Sequence, residues 1–172
     1  MSDLLSDTPP KGPGALALGW WKQNIEDGAG ENKMARGIAA RLRRASPLEV
    51  LCEPSVHDLG QKLDLRPAQA GQLVQLATLL ANVEGHTTET LAKRLGGDDP
   101  KLSTLRFQRL MRAEGDELTD HLRRAIGMVE KKSCNVAALA ADLLHWDAAR
   151  PRWCFHYFGA DAPAKLFQET EL

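Results

Sequence analysis

A chain of 172 residues with 43% hydrophobic and 26% charged side chains is long enough to bury a core, and it fits one domain or one domain of two small lobes. A formal net charge of −1 supplies no strong overall field, so attraction for a polyanion has to come from how the charges are distributed. The longest apolar stretches are only a few residues, far short of the roughly 20 that span a bilayer, which excludes a transmembrane segment.

The first residues, Met1 to Gly14, with Pro9, Pro10 and Pro13, read as a flexible leader. Acids and prolines stand there where a signal peptide carries basic residues and an apolar core, so the expected compartment is the cytoplasm. Ala15 to Gln23 reads as a helix carrying the pair Trp20-Trp21, ended by the polar, glycine-containing loop Glu26 to Asn32. From Lys33 to Ala45 the apolar residues Met34, Ile38 and Leu42 recur every four positions, which predicts a helix with that stripe buried and Arg36, Arg41, Arg43 and Arg44 off it. Pro47 closes the segment, and Cys52 to Asp64 shows a mixed pattern.

Pro67 opens a strong helix as a first-turn proline, with Leu73, Leu76, Ala77 and Leu80 on one face and Gly85 as terminator. Thr87 or Thr88 is placed to cap a short helix, Glu89 to Leu95, stopped by Gly96-Gly97. Lys101 to Ala113 predicts a helix that packs Phe107, Leu110 and Met111 and turns Arg106, Arg109 and Arg112 outward. After Gly115, the residues Leu118, Leu122, Ala125, Ile126 and Val129 form another helical stripe, with Arg123 and Arg124 off it. Asn135 is placed to cap a last long helix that buries Val136, Leu139, Ala140, Leu143 and Leu144 beside Trp146 and ends at Pro151. The aromatic segment Arg152 to Phe158 follows, and Asp161 to Leu172 reads as an acidic tail. No segment alternates at period two, so the expected fold is all-α, a compact helical bundle over residues 15–160.

The basic residues are segregated. Lys33 to Arg44 holds five and no acid, Lys101 to Arg112 holds four and no acid, and the first 32 residues carry five acids against two lysines. An ordinary solvated face mixes signs and gains from i, i+4 pairs, so these acid-free runs point to basic faces on a neutral body.

The other chemistries are weaker. Cys134, His145, Cys154 and His156 lack the paired spacing of a structural zinc site, and Cys52, Cys134 and Cys154 read as free, partly buried thiols. No activated serine or cysteine and no phosphate-cradling glycine loop is present, so neither an enzyme nor a cofactor is expected. Asp116, Glu117 and Asp120 are most simply a solvated helix start, favoured by the dipole. Trp20, Trp21, Trp146 and Trp153 lie in or beside apolar stripes and are expected in the core or at a subunit interface rather than stacked on bases.

The stretch Leu105-Arg106-Phe107-Gln108-Arg109-Leu110-Met111-Arg112-Ala113, an acidic turn, Leu122-Arg123-Arg124-Ala125 and then Leu139 to Trp146 resemble the CasB family. Trp20-Trp21 followed by Ala39-Ala40-Arg41-Leu42-Arg43-Arg44-Ala45 and Ser46-Pro47 agrees with that resemblance. It covers about Ala15 to Phe158. The resemblance implies the helical small subunit of the type I-E CRISPR surveillance complex Cascade, present as two copies, without a catalytic role. The implied partners are the other Cascade subunits, the guide RNA and the target DNA. Carried over by resemblance, Arg43, Arg44, Arg106, Arg109, Arg112, Arg123 and Arg124 are the expected backbone-binding residues, with Arg66, Lys93 and Lys101 in segments that align less closely. The rival reading is a sequence-specific helix-turn-helix regulator, with Thr88 to Gly96 as first helix and Leu102 to Ala113 as reader. A third class is a scaffold whose arginines engage acidic protein surfaces.

Overall fold

The computed structural model describes residues 12–26 and 32–159. Among them the chain forms α1 (Pro13–Asn24), α2 (Lys33–Arg44), α3 (Pro47–Leu51), α4 (Pro54–Lys62), α5 (Ala70–Asn82), α6 (Leu91–Leu95), α7 (Thr104–Arg112), α8 (Gly115–Met128), α9 (Val136–Leu144) and α10 (Trp146–Tyr157). Short 3-10 turns precede α5 and follow α8. The fold is all-α, apart from a two-residue parallel ladder of β1 (Gly85–His86) and β2 (Ser133–Cys134). Glu84 N–H donates to the Lys132 carbonyl and Thr87 N–H to the Cys134 carbonyl, which continues that ladder at both ends. No helix among the described residues is long and apolar enough to cross a membrane.

The central element is α5, whose run Leu76 to Ala81 is buried all round because α2, α3, α4, α8 and α9 pack against it. The buried side chains form one contiguous cluster. The tightest helix pair is α1 on α9, where a Cβ on Gly14 would sit 2.5 Å from the Ala137 carbonyl oxygen. Pro13 and Gly14 therefore belong to α1, whereas the sequence places them in the leader; residues 1–11 and the tail 161–172 lie outside the described residues.

Five sequence expectations are corrected. In α2 the buried face is Ala35, Ala39 and Leu42, while Met34 is 78% exposed. Stripes one residue apart differ by about 100°, and the small alanine face was taken because it lets the helix approach its neighbours. The mixed region from Cys52 is mostly helical, and Pro47 opens α3 and Pro54 opens α4, each at a first-turn position where its missing N–H costs nothing. The cap of α6 is Thr90, whose hydroxyl accepts the Lys93 N–H at 3.4 Å, whereas Thr87 closes a turn onto the Glu89 N–H; Gly85 lies in β1 instead of ending α5. The last long helix breaks at His145 (φ −136°, ψ 53°), and Pro151 lies inside α10. A proline there forfeits the bond to the Asp147 carbonyl. The buried stripe Trp146, Ala149, Trp153 and Tyr157 keeps the helix in place.

Candidate nucleic-acid interface

The basic helix α7 starts at Ser103, whose hydroxyl accepts the Arg106 N–H at 3.3 Å. Phe107 and Leu110 are 2% and 1% exposed, and that anchorage leaves Arg106, Arg109 and Arg112 on the opposite, exposed side. Their three-residue spacing spreads them over a sector of about 120°. Arg109 and Arg112 sit in the last turn, where cations offset the negative end of the dipole.

Aromatic packing from α10 fixes this helix in space. Tyr157 stacks on Phe107 with centroids 4.0 Å apart and planes 7° apart, Phe158 meets Phe107 edge-on, and the Tyr157 hydroxyl donates to the Leu102 carbonyl. Gly97 N–H donates to the Tyr157 carbonyl at 2.9 Å. The loop from Gly96 to Ser103 is thereby pinned to the end of α10.

Only Ala113 and Glu114 separate α7 from α8, so Lys101, Arg106, Arg109, Arg112, Arg123 and Arg124 lie on, or just before, two consecutive helices. All six are exposed. Arg123 meets Asp120 at 3.9 Å, a loose surface pair worth little. The side chains of the other five make no ion pair or hydrogen bond among the described residues.

The remaining residues are more scattered. Arg43 is half-buried, and its Nε donates to the Ala81 carbonyl at 2.6 Å, satisfying one of the open carbonyls at the end of α5. Arg44 is exposed and lines an open cleft of about 510 Å³ with Arg41, Glu49, Cys52 and Glu53. Glu53 accepts from Arg41 at 2.6 Å, and that bond holds the Glu53 carboxyl below its usual range. Arg66 is exposed at the other end of α5, roughly 20 Å along the helix from Ala81. Lys93 is exposed on α6, which packs on α8 and α10. Six of the ten basic residues thus lie on or just before the consecutive helices α7 and α8, and Arg43, Arg44, Arg66 and Lys93 lie elsewhere in the chain.

Two exposed lysines, Lys131 and Lys132, went unnoticed in the sequence. They follow α8 directly, both with left-handed backbone (φ 54° and 47°), and Lys132 reaches Glu84 at 3.6 Å. Glu84 also lines a cleft of about 470 Å³ with Arg36 and Arg43. The signal was the doublet itself, which stands just past the end of α8, after Val129 and Glu130.

The tryptophans are core residues: Trp20, Trp21 and Trp153 are at most 2% exposed, and their indole N–H groups donate to Ser55, Leu80 and Val83 carbonyls and to Asp142. Base stacking on them is ruled out by that burial. No group of three His, Cys, Asp or Glu side chains suited to a metal occurs among the described residues, and Cys52, Cys134 and Cys154 are free thiols. A helix-turn-helix is poorly matched, since α6 is five residues long and the eight residues Gly96 to Ser103 separate it from α7, against the usual three or four.

A family model described as CRISPR-associated protein Cse2 matches residues 38–158, well over half of the chain. That span includes α7, α8 and the aromatic end of α10. No curated protein and no solved structure matches the chain.

Proposed function

The chain belongs to the CRISPR-associated Cse2 family, also called CasB, and on that premise we propose that it acts in the cytoplasm as the non-catalytic small subunit of a type I-E Cascade complex. In this reading two copies line the particle and hold nucleic acid by its phosphates. The observation that carries it is the stretch from Lys101 to Arg124, where Arg106, Arg109, Arg112, Arg123 and Arg124 are exposed on α7 and α8, whose other faces are buried, and Lys101 is exposed in the loop before them. Side chains this long and this sparsely paired reach phosphate oxygens, to which a guanidinium donates paired hydrogen bonds. In RNA-guided recognition, base pairing carries the sequence, and exchange of one duplex for another is nearly balanced, so sequence-blind contacts to a strand suffice to tip it. Arg43, Arg44, Arg66 and Lys93 are secondary contacts in this reading. The net charge of −1 leaves the isolated subunit a weak binder, and strong retention belongs to the assembled particle.

The test is target binding by complexes reconstituted with wild-type chain or with Arg106→Glu and Arg109→Glu together, over a salt series and with two unrelated guides. Binding is expected to weaken alike for both guides. The slope of log affinity against log salt is expected to flatten by roughly 0.7–0.9 for each phosphate that the variant no longer neutralises. Equal affinity at every salt concentration refutes the proposal, and a loss confined to one guide points to base readout.

A further inference from the structure

Every aromatic side chain among the described residues is buried or half-buried except that of Phe158, which is 65% exposed. Its backbone is nonetheless well fixed. It ends α10, where its N–H donates to the Cys154 carbonyl at 3.2 Å, and Gly159 follows with left-handed backbone (φ 78°), the conformation with which glycine closes a helix. The preceding residue, Tyr157, is buried and stacked on Phe107 of α7. An exposed aromatic ring is thus carried by an anchored helix end, against the basic helix.

The ring distances show how Phe158 stands. Phe107 and Tyr157 lie 4.0 Å apart and parallel, and Phe158 lies 5.0 Å from Tyr157 and 6.4 Å from Phe107, with its plane at 89° and 84° to theirs. Those three distances make a right angle at Tyr157, so Phe158 stands beside the stack and not above it. Perpendicular rings at 5.0 Å meet edge to face, and from beside the stack it is the Tyr157 edge that meets a Phe158 face. The opposite face of Phe158 points away from the stack, which accounts for its exposure.

An apolar ring face beside cations is how proteins hold unpaired nucleic acid: the base lies on the ring while the phosphates follow the charges. Here α7 supplies the charges, with Arg106 and Arg109 on either side of Phe107 in sequence, both exposed and without a partner among the described residues. In the loop before α7 the exposed Asp98 and Asp99 repel a phosphate chain, so the way open to it is along α7. We propose that Phe158 stacks on an unpaired base of the strand whose phosphates α7 holds. A base inside a duplex has both faces covered by its neighbours and has to be unstacked first. The proposal rests on the phosphate-binding reading of α7, and adds to it a contact that salt does not screen and that favours an unpaired strand over a duplex.

The test uses the full chain at low ionic strength with two fluorescein-labelled probes, a single-stranded oligonucleotide of mixed sequence and the matching duplex, titrated by anisotropy. Phe158→Ala is expected to weaken binding of the single strand about tenfold, to leave the slope of log affinity against log salt unchanged, and to leave the duplex unaffected. Phe158→Trp is expected to bind the single strand at least as tightly as wild type, and Phe158→Leu, apolar but without a ring, to behave as Phe158→Ala. Because the ring is on the surface, all three are expected to melt within about 2 °C of wild type by circular dichroism. Arg106→Glu with Arg109→Glu is expected to weaken both probes and to flatten the slope; if it does so while Phe158→Ala binds as wild type, the phosphate-binding reading stands and the stacking proposal falls. Equal losses on single strand and duplex for Phe158→Ala, or wild-type affinity in Phe158→Leu, overturn the proposal. A wild-type chain that binds neither probe overturns it as well.

Discussion

Substituting Gly96 by alanine tests the close approach that holds the basic helix in place. A Cβ there would lie 1.9 Å from the Tyr157 carbonyl oxygen and 2.6 Å and 2.7 Å from the Tyr157 carbonyl carbon and Cα, all of them backbone atoms that no rotamer change can move. Restoring ordinary packing distance takes a shift of roughly 1.5 Å from the 1.9 Å approach. Overpacking of this kind costs about 1–3 kcal/mol. Loss of the hydrogen bond from Gly97 N–H to the Tyr157 carbonyl adds about 1 kcal/mol. Displacing Tyr157 also disturbs its stack on Phe107, worth about 0.5–1.5 kcal/mol. The sum is about 2.5–5.5 kcal/mol, or about 5–22 °C in Tm for a domain of this size. Gly19→Ala is the control: its Cβ meets nothing within 4 Å on an exposed face of α1, and it is expected to gain about 0.5–1 kcal/mol by removing a helix-interior glycine. Urea denaturation followed by far-ultraviolet circular dichroism measures both. A Gly96→Ala variant within about 0.5 kcal/mol of wild type, the ordinary range for surface changes, refutes the close approach and the account of how α7 is fixed.

Asp142→Ala is expected to destabilise by about 3 kcal/mol in the same assay, since it strips acceptors from the Trp153 indole N–H (2.8 Å) and the Arg152 guanidinium while Asp142 itself is 5% exposed. Burial, opposed by those two partners, raises the Asp142 carboxyl above its ordinary range. The His86 imidazole is held below its ordinary value by burial and by Lys22, and its Nδ1 accepts the Val136 N–H at 3.1 Å, so protonation costs a bond at the start of α9. Its folded-state value lies below the unfolded 6.5, so the unfolded chain takes up the proton first and stability falls as pH drops below that point. His86→Gln is expected to lessen the difference in unfolding free energy between pH 7.5 and 5.5, and an unaltered difference refutes it. A disulfide reagent at pH 8 is expected to label exposed Cys52 first and Cys134 only after unfolding, because burial pushes the Cys134 thiol up to about 12.

Sequence periodicity determined the helical class and most of the helices, because an amphipathic helix writes its buried face into the chain at fixed intervals. The stripe Leu118, Leu122, Ala125, Ile126, Val129 is buried at every position, and Asn135 caps α9 through the Ala138 N–H at 3.0 Å. The outward direction of Arg106, Arg109 and Arg112 was likewise legible, since Phe107 and Leu110 fix the opposite face. Local pattern does not choose between adjacent stripes, however. In α2 only packing against other helices decided that Ala35 and Ala39 turn inward and Met34 outward. Nor does it reveal which distant segments meet: the pairing of β1 with β2, the seat of Phe107 on Tyr157, and the convergence of Gln75, Asp116 and Trp146 on one cleft join residues far apart in the chain. Arg43 shows the same limit within a single side chain. Its place in an arginine run suggested a free cation, but the end of α5 arrives beside it and takes its Nε as a partner for Ala81. Charge pattern states which residues repel water least and which carry a field, whereas the partner of each donor is fixed only when the chain has folded and every buried carbonyl must be satisfied.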